Sequence, residues 1–157
     1  MPRVSSVSKR RRSLAAVYFD EPFYARGREY GADAPLLIDL SLWAELGYGV
    51  GAAFDDAEIE ALLRRSDERR AKEKALRLLS ARDYAGAELE RRLSRDIPGE
   101  AARAAAARMR ELGLIDDEAY AARLARDLLF RKYLSARAAV SAAVCAAAEV
   151  VAAVAAA

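Results

Sequence analysis

The 157 residues contain no histidine and a single cysteine, Cys145. That composition excludes Ser–His–Asp and Cys–His hydrolytic centres, imidazole general bases, histidine-containing zinc sites and any internal disulfide. Proline and glycine are scarce, at 4 and 8 residues, and aromatics make up only 8%. No apolar h-region of a signal peptide follows the Ser- and Arg-rich stretch Met1–Arg12, so an exported protein is not expected and the cytoplasm is. What is abundant is charge, 32%, and AVILMFWYC, 54%, the latter swollen by alanine. A chain of this size buries about 70% of its unfolded surface, enough for a core without crosslinks.

Net charge is only +2, but it is unevenly placed. Residues 48–63 carry Asp55, Asp56, Glu58 and Glu60 and no base. Residues 64–137 carry 19 Lys/Arg against 13 Asp/Glu. Such asymmetry points to an anionic partner, nucleic acid or an acidic protein surface, with an ordinary solvated helical surface as the alternative.

The first forty residues read as β structure. Leu14–Phe19 and Leu36–Leu40 are short β-branched and aromatic runs bounded by Pro22, Gly27, Gly31 and Pro35, which predicts two strands of a long hairpin. Phe23–Tyr30 is expected to lengthen it. The basic start, Lys9-Arg-Arg-Arg12, reads as a DNA-touching arm or a soluble end, the latter slightly favoured. Asp39 or Ser41 caps a short helix carrying Leu42, Trp43 and Leu46, which ends at Gly47. Asp55 caps a second helix with Ile59, Leu62 and Leu63 on one stripe.

From Ser66 onward, helix follows helix. The spacing predicts helices over Asp67–Ala81, Tyr84–Arg95, Glu100–Leu112 and Asp117–Lys132. Asp96 is expected to cap the third of these and Asp116 the last; Ala105, Met109 and Leu112 are expected to be buried. The similar places of Tyr84–Leu89 and Tyr133–Arg137 suggest two tandem three-helix units. The fold class is therefore mainly α: tandem three-helix repeats at 66–113 and 114–157, preceded by a hairpin-plus-helix module at 1–65. The second repeat is incomplete or degenerate after about 137.

The tail from Ala138 to Ala157 holds twelve Ala and five Val, interrupted only by Ser141, Cys145 and Glu149. Five valines favour membrane insertion by roughly 1.5–3 kcal/mol, whereas a central acid opposes it by about 2.5 kcal/mol or more. A weakly packing or frayed helix is expected, with no membrane span. Cys145 reads there as a small apolar residue.

No constellation of catalytic, cofactor or metal-binding residues emerges. Asp55-Asp56 and Asp116-Asp117 sit where helices begin, and there a carboxylate accepts backbone N–H bonds. Gly47-Tyr-Gly-Val-Gly51 lacks the strand–loop–helix context and the Lys-Ser/Thr of a phosphate loop.

One stretch is more specific. Leu78-Leu-Ser-Ala-Arg-Asp-Tyr-Ala-Gly-Ala-Glu-Leu-Glu-Arg-Arg-Leu93 leads to Met109-Arg-Glu-Leu-Gly-Leu-Ile-Asp-Asp-Glu-Ala-Tyr-Ala121. This pattern resembles the bacterial RecX family, regulators of the RecA recombinase. The carrying residues are Glu88, Leu89 and Leu93, then Leu112, Gly113, Asp116, Asp117, Tyr120 and Ala121, with Arg131-Lys132-Tyr133 similar to the basic step into a further helix. The resemblance covers about 70–137, and more loosely 13–65. It implies three-helix repeats that bind, as a monomer, in the groove of the RecA filament on single-stranded DNA. Inhibition of ATP hydrolysis and strand exchange would then restrain recombination and the SOS response, without enzymatic activity. The C-terminus departs from the pattern: Ala142-Ala143 stands where the family shows a Glu-Leu pair. Replacing buried Leu by Ala costs about 2–5 kcal/mol per site. The alternatives are therefore a stand-alone basic nucleic-acid-binding module and a C-terminally damaged family member, its tail a reading-frame product.

The candidate RecA- or DNA-binding residues on the matched helices are Arg91, Arg92, Arg95, Arg103, Arg108, Arg110, Arg123, Arg126, Arg131 and Lys132. Guanidinium pairs with phosphate and carboxylate through two parallel bonds. Arg91/Arg92 and Arg131/Lys132 lead, because adjacent bases are hardest to neutralise locally; others are expected to pair with Glu88, Glu90, Glu111 or Asp127.

Overall fold

Strand β1 (Val4–Arg10) owes its existence to its neighbour rather than to its own residues. Only Val4 in it is buried. It lies antiparallel against β2 (Leu14–Phe19), whose Ala15, Ala16, Val17 and Phe19 are fully buried. On the other side β2 pairs antiparallel with β5 (Leu36–Asp39), completing a three-stranded sheet in the order β1-β2-β5. The expected pairing of the runs Leu14–Phe19 and Leu36–Leu40 is thus present, with the second strand ending at Asp39 and Leu40 opening a helix. The basic start is not a loose end: Lys9 and Arg10 close β1, and Arg11–Ser13 make the turn into β2. Phe23–Tyr30 does not lengthen the hairpin. It folds on itself as β3 (Phe23–Ala25) and β4 (Arg28–Tyr30), a separate antiparallel pair.

The computed structural model describes residues 1–131 and divides into two compact units, Met1–Arg70 and Ala71–Ala157. In the first unit, β5 runs directly into α1 (Leu40–Leu46). The buried Asp39 carboxylate caps this helix, accepting from Leu42 N at 2.9 Å and Ser41 Oγ at 2.6 Å. Gly47 ends it at φ +69°, a left-handed position that costs glycine nothing. Asp55 and Glu58 then form a reciprocal capping box, each accepting the other's backbone N–H (2.7 and 2.8 Å), at the start of α2 (Asp56–Ala81).

The core of this unit gathers Val4, Val17, Phe19, Leu36, Ile38, Trp43, Phe54, Ile59 and Leu62. Phe19 meets Phe23 and Phe54 edge-on, with centroids 4.8 and 6.3 Å apart, a favoured aromatic geometry.

Helix α2 corrects the sequence reading, which breaks it at Ser66. It is one helix of 26 residues. Ser66 is buried within it, and its Oγ accepts the Asp39 N–H at 2.9 Å. A serine that looks like a helix boundary is instead the acceptor for an otherwise orphaned strand amide.

In the second unit, the last part of α2 is followed by α3 (Gly86–Leu93), α4 (Gly99–Glu111) and α5 (Asp117–Arg131). The core comprises Ala71, Ala75, Tyr84, Leu89, Leu93, Ile97, Ala101, Ala102, Ala105, Met109 and Ile115. The small side chains of α4 let its backbone come close to α3. Two expectations fail here. Asp96 does not cap α4, whose N-cap is Pro98; its carboxylate takes the Lys74 ammonium instead. Leu112 is 51% exposed, and Ile115 takes the core position. The reason is the turn at Gly113 (φ +73°), where Leu114 N donates to Met109 O and Gly113 N to Arg110 O. This Schellman arrangement turns the chain out of the helix before Leu112 can be covered.

The helix-rich chain with its antiparallel N-terminal sheet matches the expected class. Of the second three-helix repeat expected over 114–157, α5 is present, while residues 132–157, with the tail and Cys145, lie outside the described residues.

Candidate nucleic-acid interface

The basic surface expected of the matched region is built around α3. Leu89 and Leu93, four apart, are fully buried, and between and after them Arg91, Arg92 and Arg95 are exposed. The end of α3 is pinned: Lys74 Nζ reaches Asp96 Oδ2 at 2.5 Å and donates to Arg92 O at 3.4 Å. Cations at a helix C-terminus also favour the dipole, by about 0.3–1 kcal/mol each, which is the structural role open to Arg91 and Arg92.

The start of α3 is held from afar. Ala85, its N-cap, offers no side-chain acceptor. The Gly86 N–H donates instead to Asp117 Oδ1 at 2.7 Å, across 31 residues, while Arg110 Nη2 lies 3.2 Å from Asp117 Oδ2. A Cβ at position 86 would stand 2.2 Å from Arg110 Nη2, so glycine leaves room for this tie. Asp116 does what the sequence predicts and caps α5, accepting from Ala119 N at 3.0 Å. Asp117 is not merely a second cap; it joins the starts of α3 and α5 to the end of α4.

The remaining motif residues are structural too. Arg82 lies 3.9 Å over the ring of the buried Tyr84 and bonds Glu88 at 2.5 Å. That hydrogen bond, against the opposing effect of burial, raises the Arg82 pKa above its ordinary value. Tyr120 and Ala121 are half-buried at the start of α5.

Besides Arg91, at the end of α3, the other nine candidate cations separate by partner. Arg103 faces Glu90 at 3.6 Å, Arg108 bonds Glu111 at 3.0 Å, Arg110 holds Asp117, and Arg123 meets Asp83 at 3.0 Å. These four carry intramolecular duties. Arg92, Arg95 and Arg126 are exposed and form no ion pair with any described residue. Arg131 closes α5, and Lys132 lies outside the described residues. The unpaired guanidinium groups of Arg92 and Arg95, at and after the end of α3, and of Arg126 on α5 are suited to phosphate or carboxylate. No cluster of acidic residues or cysteine suited to a metal occurs among the described residues.

A further cationic feature is the β1–β2 turn. Lys9, Arg10, Arg11 and Arg12 are all exposed there. Arg10 Nη2 donates to Tyr18 Oη at 2.8 Å, and this bond holds the phenol below its ordinary pKa. The four-base run was the signal; its placement on an ordered turn was not legible.

No protein-family model and no curated protein sequence matches the chain. A comparison with solved structures decides the fold. It is similar to that of regulatory protein RecX. The match to the crystal structure of that protein has a TM-score of 0.50 and 19% identity, covering 91% of this chain and 72% of the other. At 91% of the chain the similarity in fold takes in the N-terminal sheet unit, where the sequence resemblance is loose, as well as the helical unit. No helix among the described residues is long and apolar enough to cross a membrane.

Proposed function

We propose that the chain is a regulatory protein of the RecX type, which binds RecA filaments on single-stranded DNA and lowers their ATP hydrolysis and strand exchange. In this reading it acts by binding rather than by catalysis, as a monomer in the cytoplasm, and so modulates recombination and the SOS response. The observation that carries it is the RecX-like fold over 91% of the chain, coupled to unpaired arginines on the helices that match the family pattern. The end of α3 supplies Arg92 and Arg95 on a turn that Lys74 fixes, and α5 supplies Arg126. The planar guanidinium fork loses less entropy per hydrogen bond than a flexible ammonium on meeting phosphate or carboxylate, so a charged filament groove is a fitting partner.

The test is a titration of the full chain into RecA assembled on single-stranded DNA, following ATP hydrolysis. Inhibition at substoichiometric protein is expected, and the double variant R92E/R95E should require several-fold more protein. Absence of inhibition, with salt-sensitive binding to bare DNA retained, would replace this reading by a generic nucleic-acid-binding module. Silence in both assays would mark a damaged copy.

A further inference from the structure

We infer that the β1–β2 turn is a second, independent binding element whose ligand is the phosphodiester backbone of nucleic acid. Its residues are Lys9, Arg10, Arg11 and Arg12, four consecutive exposed cations at the end of an edge strand. Arg10 is engaged with Tyr18, whereas Lys9, Arg11 and Arg12 make no ion pair or side-chain hydrogen bond with any described residue. No acid occurs before Asp20 in the sequence. Asp39, which follows the residue opposite Ala15 in the sheet and pairs with Leu14, is buried and committed to the cap of α1.

The backbone adds an independent argument. Arg12 and Ser13 adopt φ of +62° and +56°, left-handed positions where glycine or asparagine is the easy occupant. The chain places a third non-glycine residue in this region, Arg26 at φ +49°, in the β3–β4 turn. There the strain has a visible return. The Arg26 guanidinium reaches Glu60 at 2.9 Å and Asp67 at 2.5 Å, fastening the turn to α2. Arg12 occupies the same strained conformation with no partner among the described residues. By the same logic, Arg12 is held ready for a partner other than the described residues.

The chemistry selects phosphate over an acidic protein face or a lipid surface. Protein interfaces are anchored by buried aromatic or aliphatic residues, and membrane contacts by apolar side chains. The turn presents neither; Val7, 36% exposed, is the nearest apolar side chain along β1. Instead Ser5, Ser6 and Ser8 are exposed along the same strand. Hydroxyls beside guanidinium and ammonium groups are the usual donors to phosphate oxygens.

The test uses the full chain with no RecA present, so its outcome is separable from that of the filament reading. Fluorescence anisotropy with a labelled single-stranded oligonucleotide, and with a duplex, is measured across a range of salt. The triple variant K9A/R11A/R12G should weaken binding roughly tenfold at low salt and flatten the log–log salt slope on single strands by about 2, since each phosphate neutralised there contributes about 0.7. Loss on either probe supports the tip and names the form of nucleic acid it takes. Arg12→Gly alone separates charge from folding, because glycine accepts the left-handed position: affinity should fall while Tm stays equal or rises. An unchanged affinity and salt slope in the triple variant overturns the inference. So does a loss of binding in Arg12→Gly that comes with a lowered Tm, which would make the turn a structural element only.

Discussion

Removing the Asp117 carboxylate tests whether the helical unit is tied together as its geometry indicates. Asp117→Ala deletes three contributions. The Gly86 N–H loses the acceptor that stands in for an N-cap, worth about 1 kcal/mol. The pair with Arg110 is lost; with side chains 41% and 18% exposed, it ranks with surface salt bridges at about 0.2–1 kcal/mol. An acid also leaves the first turn of α5, at about 0.3–1 kcal/mol. The total is about 2 kcal/mol, or a midpoint lower by roughly 4–8 °C for a protein of this size. Asp116→Ala removes one cap only and should cost about 1 kcal/mol. Far-UV circular dichroism is the suitable probe, because the single tryptophan, Trp43, belongs to the other core. Native-state hydrogen exchange sharpens the comparison: the Gly86 amide should lose protection in Asp117→Ala and keep it in Asp116→Ala. If Asp117→Ala costs no more than Asp116→Ala, and Gly86 stays protected, the long-range tie is refuted and Asp117 is an ordinary helix-start acid.

Three further outcomes follow from the same structure. Gly86→Ala displaces the Arg110 guanidinium, and this loss should cancel the roughly 0.4–1 kcal/mol that Ala gains through the unfolded state; in an Asp117→Ala background the cancellation disappears and the substitution should stabilise. Ser66→Ala strands the buried Asp39 N–H and should cost about 1–3 kcal/mol in denaturant titrations followed by Trp43 fluorescence. Leu89→Ala empties a fully buried site and should cost about 2–5 kcal/mol by circular dichroism.

What the sequence made legible was what local chemistry decides. The runs Leu14–Phe19 and Leu36–Leu40, the Asp39, Asp55 and Asp116 caps, and the glycine stop at 47 all depend on residues a few positions apart. The failures depend on distant partners. Strand β1 carries almost no apolar pattern, and β2 alone makes it a strand. Ser66 looked like a boundary because its acceptor role involves an amide 27 residues earlier. Asp96 looked like a cap until Lys74 claimed it. The partners of the arginine candidates depend on the fold in the same way: Glu90 and Asp83, on neighbouring elements, pair with Arg103 and Arg123. Arg92, Arg95 and Arg126 stay available because nothing described is folded against their charge.

Edge strand β1 also bears on how the protein behaves at high concentration. Beyond Val4, whose N–H and C=O bond Ala52 and Gly51, its outer edge makes no backbone hydrogen bonds to described residues. An open edge of this kind is a template for β-pairing between molecules, the first step toward fibrillar aggregates. Here the edge is serine-rich and ends in four cations, so a second copy approaching in parallel would bring like charges together. The residues that draw in a polyanion thus keep identical chains apart. Neutralising that turn should leave the protein less soluble, and a bound polyanion that cancels the charge should have the same effect at stoichiometric ratios.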